Sequence, residues 1–160
     1  MNVVEIADPA GFREAVRRAV EAAMARDTRS LLLVDPDFAG WPLDDPVLLD
    51  LLTAWLRRPG RRLTLLGQDF ARMQRDHPRF TQWRPMWSHV IDVRRPDEAL
   101  AAGLGTLLLD DGPTVLELWQ REPPRGRAQQ DAVAAAAVRE RTDAPLQRST
   151  ADWPVRPLGL

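Results

Sequence analysis

The chain has 160 residues, 44% hydrophobic and 28% charged, with a formal net charge of −1. That length reads as one domain, and the composition is that of a globular chain rather than a disordered or membrane one. There is no Cys, Tyr or Lys, all 22 basic residues are Arg, and His77 and His89 are the only His; disulfides, thiolate chemistry, a Walker A lysine and lysine Schiff bases are thereby excluded.

The start, Met1 to Ile6, has neither a basic n-region nor an apolar h-region, and no apolar run approaches the ~20 residues that cross a bilayer. A cytoplasmic protein without membrane contact is expected. Val3–Ile6 is short and β-branched. Asp8-Pro9 is an N-cap with proline in the first turn, and Phe12, Val16, Ala19, Val20 and Ala23 repeat at helical spacing, which predicts a helix from about Pro9 to Arg26. Leu31–Val34 is continuously apolar, the pattern of a strand covered on both faces. Asp45-Pro46 opens a second helix that buries Leu48, Leu52 and Trp55 and ends at Pro59-Gly60, and Leu63–Leu66 is a second buried strand. Residues 70–88 read as short broken helices and His89–Val93 as a further strand. Leu104–Leu109 and Thr114–Trp119 flank Asp110-Asp111-Gly112-Pro113 as a hairpin. Arg121–Arg127 reads as a loop, Gln129–Arg141 as an Ala-rich helix, and the chain from about 143 as an irregular tail.

This order predicts one α/β domain over residues 1–160, with a mostly parallel, mixed central sheet flanked by helices and an antiparallel pair toward the end. The expected core is Phe12, Val16, Val20, Leu32, Val34, Leu48, Leu52, Trp55, Leu65, Val90 and Leu108.

Open α/β sheets bind ligands outside the carboxyl ends of their strands. Asp35, Asp37, Asp69 and Asp110 are read at such ends, where converging carboxylates could hold Mg²⁺ for phosphoryl transfer; Asp is equally a turn and N-cap residue. Ser88 and His89, adjacent on a strand, point to opposite faces and cannot pair as nucleophile and base. His77 reads as a solvated turn residue. The run Arg57-Arg58-Pro59-Gly60-Arg61-Arg62 spans a helix end, where Arg meets the negative end of the helix dipole. Arg121, Arg125 and Arg127 lie beside Trp119, a pairing that suits phosphate or a stacked base. Trp41 and Trp153, in irregular segments, are candidates for clamping a partner or closing over an edge.

Leu31-Leu-Leu-Val-Asp-Pro-Asp37 and Arg62-Leu-Thr-Leu-Leu-Gly67, with the helices between them, are similar to the first half of a phospholipase D-like domain. Gly103-Leu-Gly-Thr-Leu-Leu-Leu-Asp-Asp111 and Thr114-Val-Leu-Glu-Leu-Trp119 lie where that superfamily carries His-x-Lys-x-x-x-x-Asp and its next strand. Only the Asp persists, as Asp110; Gly103 stands at the His position and Gly105 at the Lys position, and Leu118-Trp119 replace a small Gly-Ser pair. The stretch from Leu146 to Leu160 resembles the tail of small bacterial members that have lost the same motif. The resemblance implies the fold and denies the reaction, since the family uses the His as nucleophile and the Lys to hold phosphate.

The leading reading is a catalytically silent domain that binds or scaffolds, with no catalytic residue, metal or cofactor. Its candidate pocket is Asp35, Asp37, Asp69, Asp110, Trp119 and Arg121. The alternatives are an Mg²⁺ enzyme on the four Asp and an Arg-mediated nucleic-acid or phospholigand binder. Net charge argues against nucleic acid as a partner, and homodimerisation is expected from an apolar hairpin, Leu104–Trp119, that needs cover on its outer face.

Overall fold

The computed structural model describes residues 3–154. β1 (Val3–Ile6) leads to Asp8, whose side chain accepts the Gly11 amide at 2.6 Å and, with Pro9 in the first turn, starts α1 (Pro9–Ala25). β2 (Ser30–Val34) follows, then α2 (Pro46–Leu56), capped in the same way by Asp45, and β3 (Arg62–Leu66). Two short helices, α3 (Met73–Asp76) and α4 (Pro78–Trp83), and a 3₁₀ turn at Arg84–Trp87 precede β4 (Ile91–Pro96) and α5 (Glu98–Ala101). The chain closes with β5 (Thr106–Asp110), β6 (Thr114–Gln120), β7 (Arg125–Gln130), α6 (Ala132–Gln147) and β8 (Ser149–Ala151).

All eight strands form one mixed sheet in the order β1-β7-β6-β5-β2-β3-β4-β8. β2–β3 and β3–β4 are parallel and the other pairs antiparallel, so the antiparallel share exceeds the single hairpin expected. Two unexpected strands account for three of the four additional antiparallel pairs, and β5 running against β2 for the fourth. Arg125–Gln130 is not a loop but β7, paired to β6 on one side and β1 on the other. Its Gly126 is needed for close approach, since a Cβ there would lie 2.0 Å from the Glu117 carbonyl oxygen. The expected irregular tail from about 143 is also corrected. α6 continues through Pro145 to Gln147, and β8 is fastened to β4 by Arg94, whose Nε and Nη2 donate to Ser149 Oγ and O at 2.6 and 2.7 Å. Residues 155–160 of the closing stretch lie outside the described residues.

One face of the sheet packs on α1, α2 and α4 through Phe12, Val16, Val20, Leu33, Leu48, Leu52, Trp55, Leu65 and Leu108. The other carries a smaller cluster, with Val34, Leu66, Leu107, Leu109 and Val115 under Ala135 and Val138 of α6. The cover that the hairpin needs is therefore supplied by α6 of the same chain, which removes that reason for pairing two copies. Leu32 and Val90, expected in the core, are only partly buried beside these clusters. His77 is not a solvated turn residue: it is buried, with Nε2 2.8 Å from the Phe38 carbonyl. Within the Arg57–Arg62 run, Arg58 and Arg61 both engage Asp27, and Arg62 meets Asp92 at 2.7 Å. Trp153 stacks on Phe70 and Phe80 with the Arg84 guanidinium 4.3 Å from its ring. Among the described residues no helix is long and apolar enough to cross a membrane.

Candidate functional site

β2 ends at Asp35, and the next residues turn sharply because Phe38 takes φ 61, a left-handed conformation strained for an aromatic residue. Asp35 holds that turn in place. Its Oδ2 accepts the Phe38 amide at 2.7 Å and the Asp37 amide at 3.2 Å, while the Phe38 ring is buried between Trp41 and Phe70. The end of β3 comes close because Gly67 has no side chain: a Cβ there would meet the Asp35 carbonyl oxygen at 3.0 Å. The Gln68 and Asp69 amides then both donate to the Pro36 carbonyl at 2.9 Å.

Two further elements complete the site. Thr106, the first residue of β5, donates its hydroxyl to Asp35 Oδ1. Arg121, just past β6, donates Nε to Asp35 Oδ1 at 3.2 Å and Nη2 to Asp35 Oδ2 at 3.0 Å and Asp37 Oδ1 at 2.9 Å. Asp35 is 1% exposed, so this is a buried carboxylate met by a half-exposed guanidinium. Burial works against the Arg121 cation, yet the Asp35 and Asp37 charges outweigh it and hold its pKa above the ordinary arginine value. For Asp37, burial pushes the pKa up, but the Ala39 amide and Arg121 prevail and leave it below the usual aspartate range.

These residues line a cleft of about 600 Å³ whose other walls are Phe12, Trp41, Leu118 and the prolines Pro123 and Pro124. Its charged lining is three carboxylates, Asp35, Asp37 and Glu122, and two guanidiniums, Arg72 and Arg121, the last bonded directly to Asp35 and Asp37. Both oxygens of Asp35 are already engaged, while Asp37 and Glu122 add hydrogen-bond acceptors between the apolar walls.

Of the residues expected in the pocket, Asp35, Asp37 and Arg121 come together and three do not. Asp110 lies at the opposite end of β5, where antiparallel pairing sets it beside Leu31; its Oδ1 accepts the Gly112 and Thr114 amides at 2.8 and 3.0 Å and shapes the hairpin turn. Asp69 is exposed and accepts the Ala71 amide at 2.8 Å. Trp119 is 59% exposed on the far face of β6, with Arg127 at 5.4 Å from its ring. The four Asp therefore do not converge, and among the described residues no three His, Asp or Glu side chains are grouped to hold a metal ion. The Arg121–Arg125–Arg127 group is likewise divided, because Arg121 is spent on two carboxylates. Sequence reasoning missed Thr106, Arg72 and Glu122; Thr106 had a signal in following Gly105 at the matched motif, and Arg72 and Glu122 had none.

Neither a sequence-family profile nor any curated protein matches the chain. Solved structures do. A phospholipase D family member, Nuc from Salmonella typhimurium, superposes with a TM-score of 0.64 at 13% identity, over 96% of this chain and 99% of that one. TrmBL2, an archaeal chromatin protein described as having a novel mode of DNA binding, gives 0.65 at 12% identity over 95% of this chain. This chain has a phospholipase D-like fold. It spans about half of TrmBL2, 54% of that chain. The likeness corrects the expectation against nucleic acid: the same phospholipase D-like fold occurs in a protein described as binding DNA, so neither net charge nor fold sets that partner aside.

Proposed function

We propose that this chain is a catalytically silent phospholipase D-like domain acting as a binding module, with the Asp35–Asp37–Arg121 cleft as its ligand site. The observation that carries the reading is what stands in place of the reactive groups. Gly103 and Gly105 occupy the positions matched to the nucleophilic imidazole and the phosphate-holding ammonium, and both are exposed and side-chain-free. Neither His makes good the loss: His77 is buried against the Phe38 carbonyl, and His89 is exposed and stacked on Trp87. Displacement at phosphorus needs a nucleophile and cations at the developing charge, and the cleft's Arg121 is already neutralised.

The cleft chemistry suits a small ligand with an apolar body, to lie on Phe12, Trp41 and Leu118, and a cationic or hydrogen-bond-donating end for Asp37 and Glu122. Purified protein is expected to release no nitrophenol from bis(p-nitrophenyl) phosphate, with or without Mg²⁺. Turnover that survives purification and disappears in both Asp35→Ala and Asp110→Ala overturns the reading. Tryptamine, an aromatic amine, is expected to raise the melting temperature of the wild type and not of Asp37→Asn; equal stabilisation of the two places it elsewhere.

A further inference from the structure

We propose that the exposed sheet surface centred on Trp119 binds single-stranded nucleic acid by stacking, at a site separate from the cleft. Glu117 of β6 is ion-paired at 2.6 Å to Arg141 of α6, which identifies the α6 side of the sheet. Trp119, two residues on, lies on that side, and so does Arg127, whose guanidinium is 5.4 Å from the indole centroid. Arg125 and Arg127 alternate around Gly126, which faces the opposite layer, so both guanidiniums project from one surface. α6 leaves this corner open, where Trp119, Arg125, Arg127, Val3 and Glu5 are all exposed.

The chemistry selects the partner. The indole is 59% exposed on a rigid strand, with the Arg127 guanidinium 5.4 Å from its ring centroid. Among the described residues Arg125 and Arg127 enter no ion pair, although 13 pairs employ other Arg side chains. An exposed aromatic ring beside two guanidiniums that enter no ion pair fits a base with its neighbouring phosphates, the combination single-strand binders use. The two Arg are separated by two strand rises, a spacing comparable to consecutive phosphates of an extended strand. A duplex would bury its bases away from Trp119. Glu5 on β1 and Glu117 on β6, both in register with Arg127, are the opposing charges, and Glu117 is already held by Arg141.

The test is fluorescence anisotropy of a short end-labelled oligothymidylate with the full chain at low salt. Wild type is expected to bind, with log K falling against log salt at a slope near −1.4 for two single-strand phosphate contacts. Trp119→Ala is expected to weaken binding roughly tenfold or more, and Trp119→Phe to retain most of it. Arg127→Ala should reduce the slope by about 0.7, and Glu5→Gln should tighten binding. Thermal melting of each variant checks that the fold is kept, which exposed positions favour. Failure to bind, binding that Trp119→Ala leaves unchanged, or preference for heparin or for the same sequence as a duplex each overturns the proposal. None of these results touches the cleft, so the silent-domain reading stands or falls separately.

Discussion

Replacing Arg121 by Met keeps the side chain's apolar length and removes three hydrogen bonds to two carboxylates. Bonds to charged groups contribute about 1.5–3 kcal/mol each when buried, but the Arg121 side chain is 42% exposed. Water therefore replaces part of what it gives, and ion pairs at such exposure contribute about 0–1 kcal/mol. Asp35 also keeps the Thr106 hydroxyl and two backbone amides, so it is not stranded. The expected cost of Arg121→Met is about 1–2 kcal/mol. Asp35→Ala is different in kind: it removes the acceptor of the buried Phe38 amide and of Thr106, and releases the clamp on a left-handed Phe38. Its expected cost is roughly 3–5 kcal/mol, from two hydrogen bonds of buried donors to a charged acceptor at about 1.5–3 kcal/mol each. Urea unfolding followed by circular dichroism gives both values, provided m is unchanged, and the double variant gives a coupling of about 1 kcal/mol. If the two substitutions prove additive, or if Arg121→Met costs more than Asp35→Ala, the clamp described here does not exist in solution.

Leu65→Ala, at a side chain with no exposed surface, is expected to cost about 2–5 kcal/mol, whereas Leu32→Ala, partly buried beside the smaller cluster, should cost clearly less; equal values in urea melts would contradict the two-cluster core. Stability should also fall in acid. For Asp37 and Asp111 burial raises the pKa, but the Ala39 amide and Arg121, and the Thr28 hydroxyl and Arg29 amide, lower it further, so both lie below the unfolded value in the fold. Such groups stabilise fully above the unfolded aspartate pKa of about 3.9, and the contribution is lost as pH falls through their lowered values. Melting temperature should accordingly be flat near neutrality and drop below about pH 4, with a shallower drop in Asp111→Asn. A profile that Asp111→Asn leaves unaltered refutes the assignment.

Local signals carried much of the architecture. The Asp-Pro caps at Asp8 and Asp45 and the unbroken apolar runs of β2 and β3 state their own structure, because capping and double-sided burial are read within a few residues. β7 was illegible for the converse reason: Arg-Gly-Arg-Ala-Gln-Gln has no apolar alternation, and only pairing to β1 and β6 makes it a strand. Asp35 and Asp37 could be placed from the end of β2, but Asp110 could not, since the sequence does not reveal that β5 runs against β2. Trp119 and Arg121 were grouped by proximity in sequence. The register irregularity between Leu118 and Gln120 breaks the strand alternation between them, and the two side chains part to opposite sides of the sheet.

The seam between β2 and β5 joins the parallel strands β2, β3 and β4 to the antiparallel group of β5, β6, β7 and β1. A carboxylate rivets it at each end: Asp35 takes the Thr106 hydroxyl 71 residues away, and Asp111 takes the Thr28 hydroxyl 83 residues away. Closing a loop of that size costs on the order of 4 kcal/mol in chain entropy before either rivet can form. The two hydroxyl contacts thus form only after the halves have met, although Asp35 also holds the local Phe38 turn, and they are expected to act on unfolding more than on folding. Their effect falls on the reverse process. Removing either hydroxyl contact is expected to shorten the lifetime of the folded chain more than it slows the chain's formation.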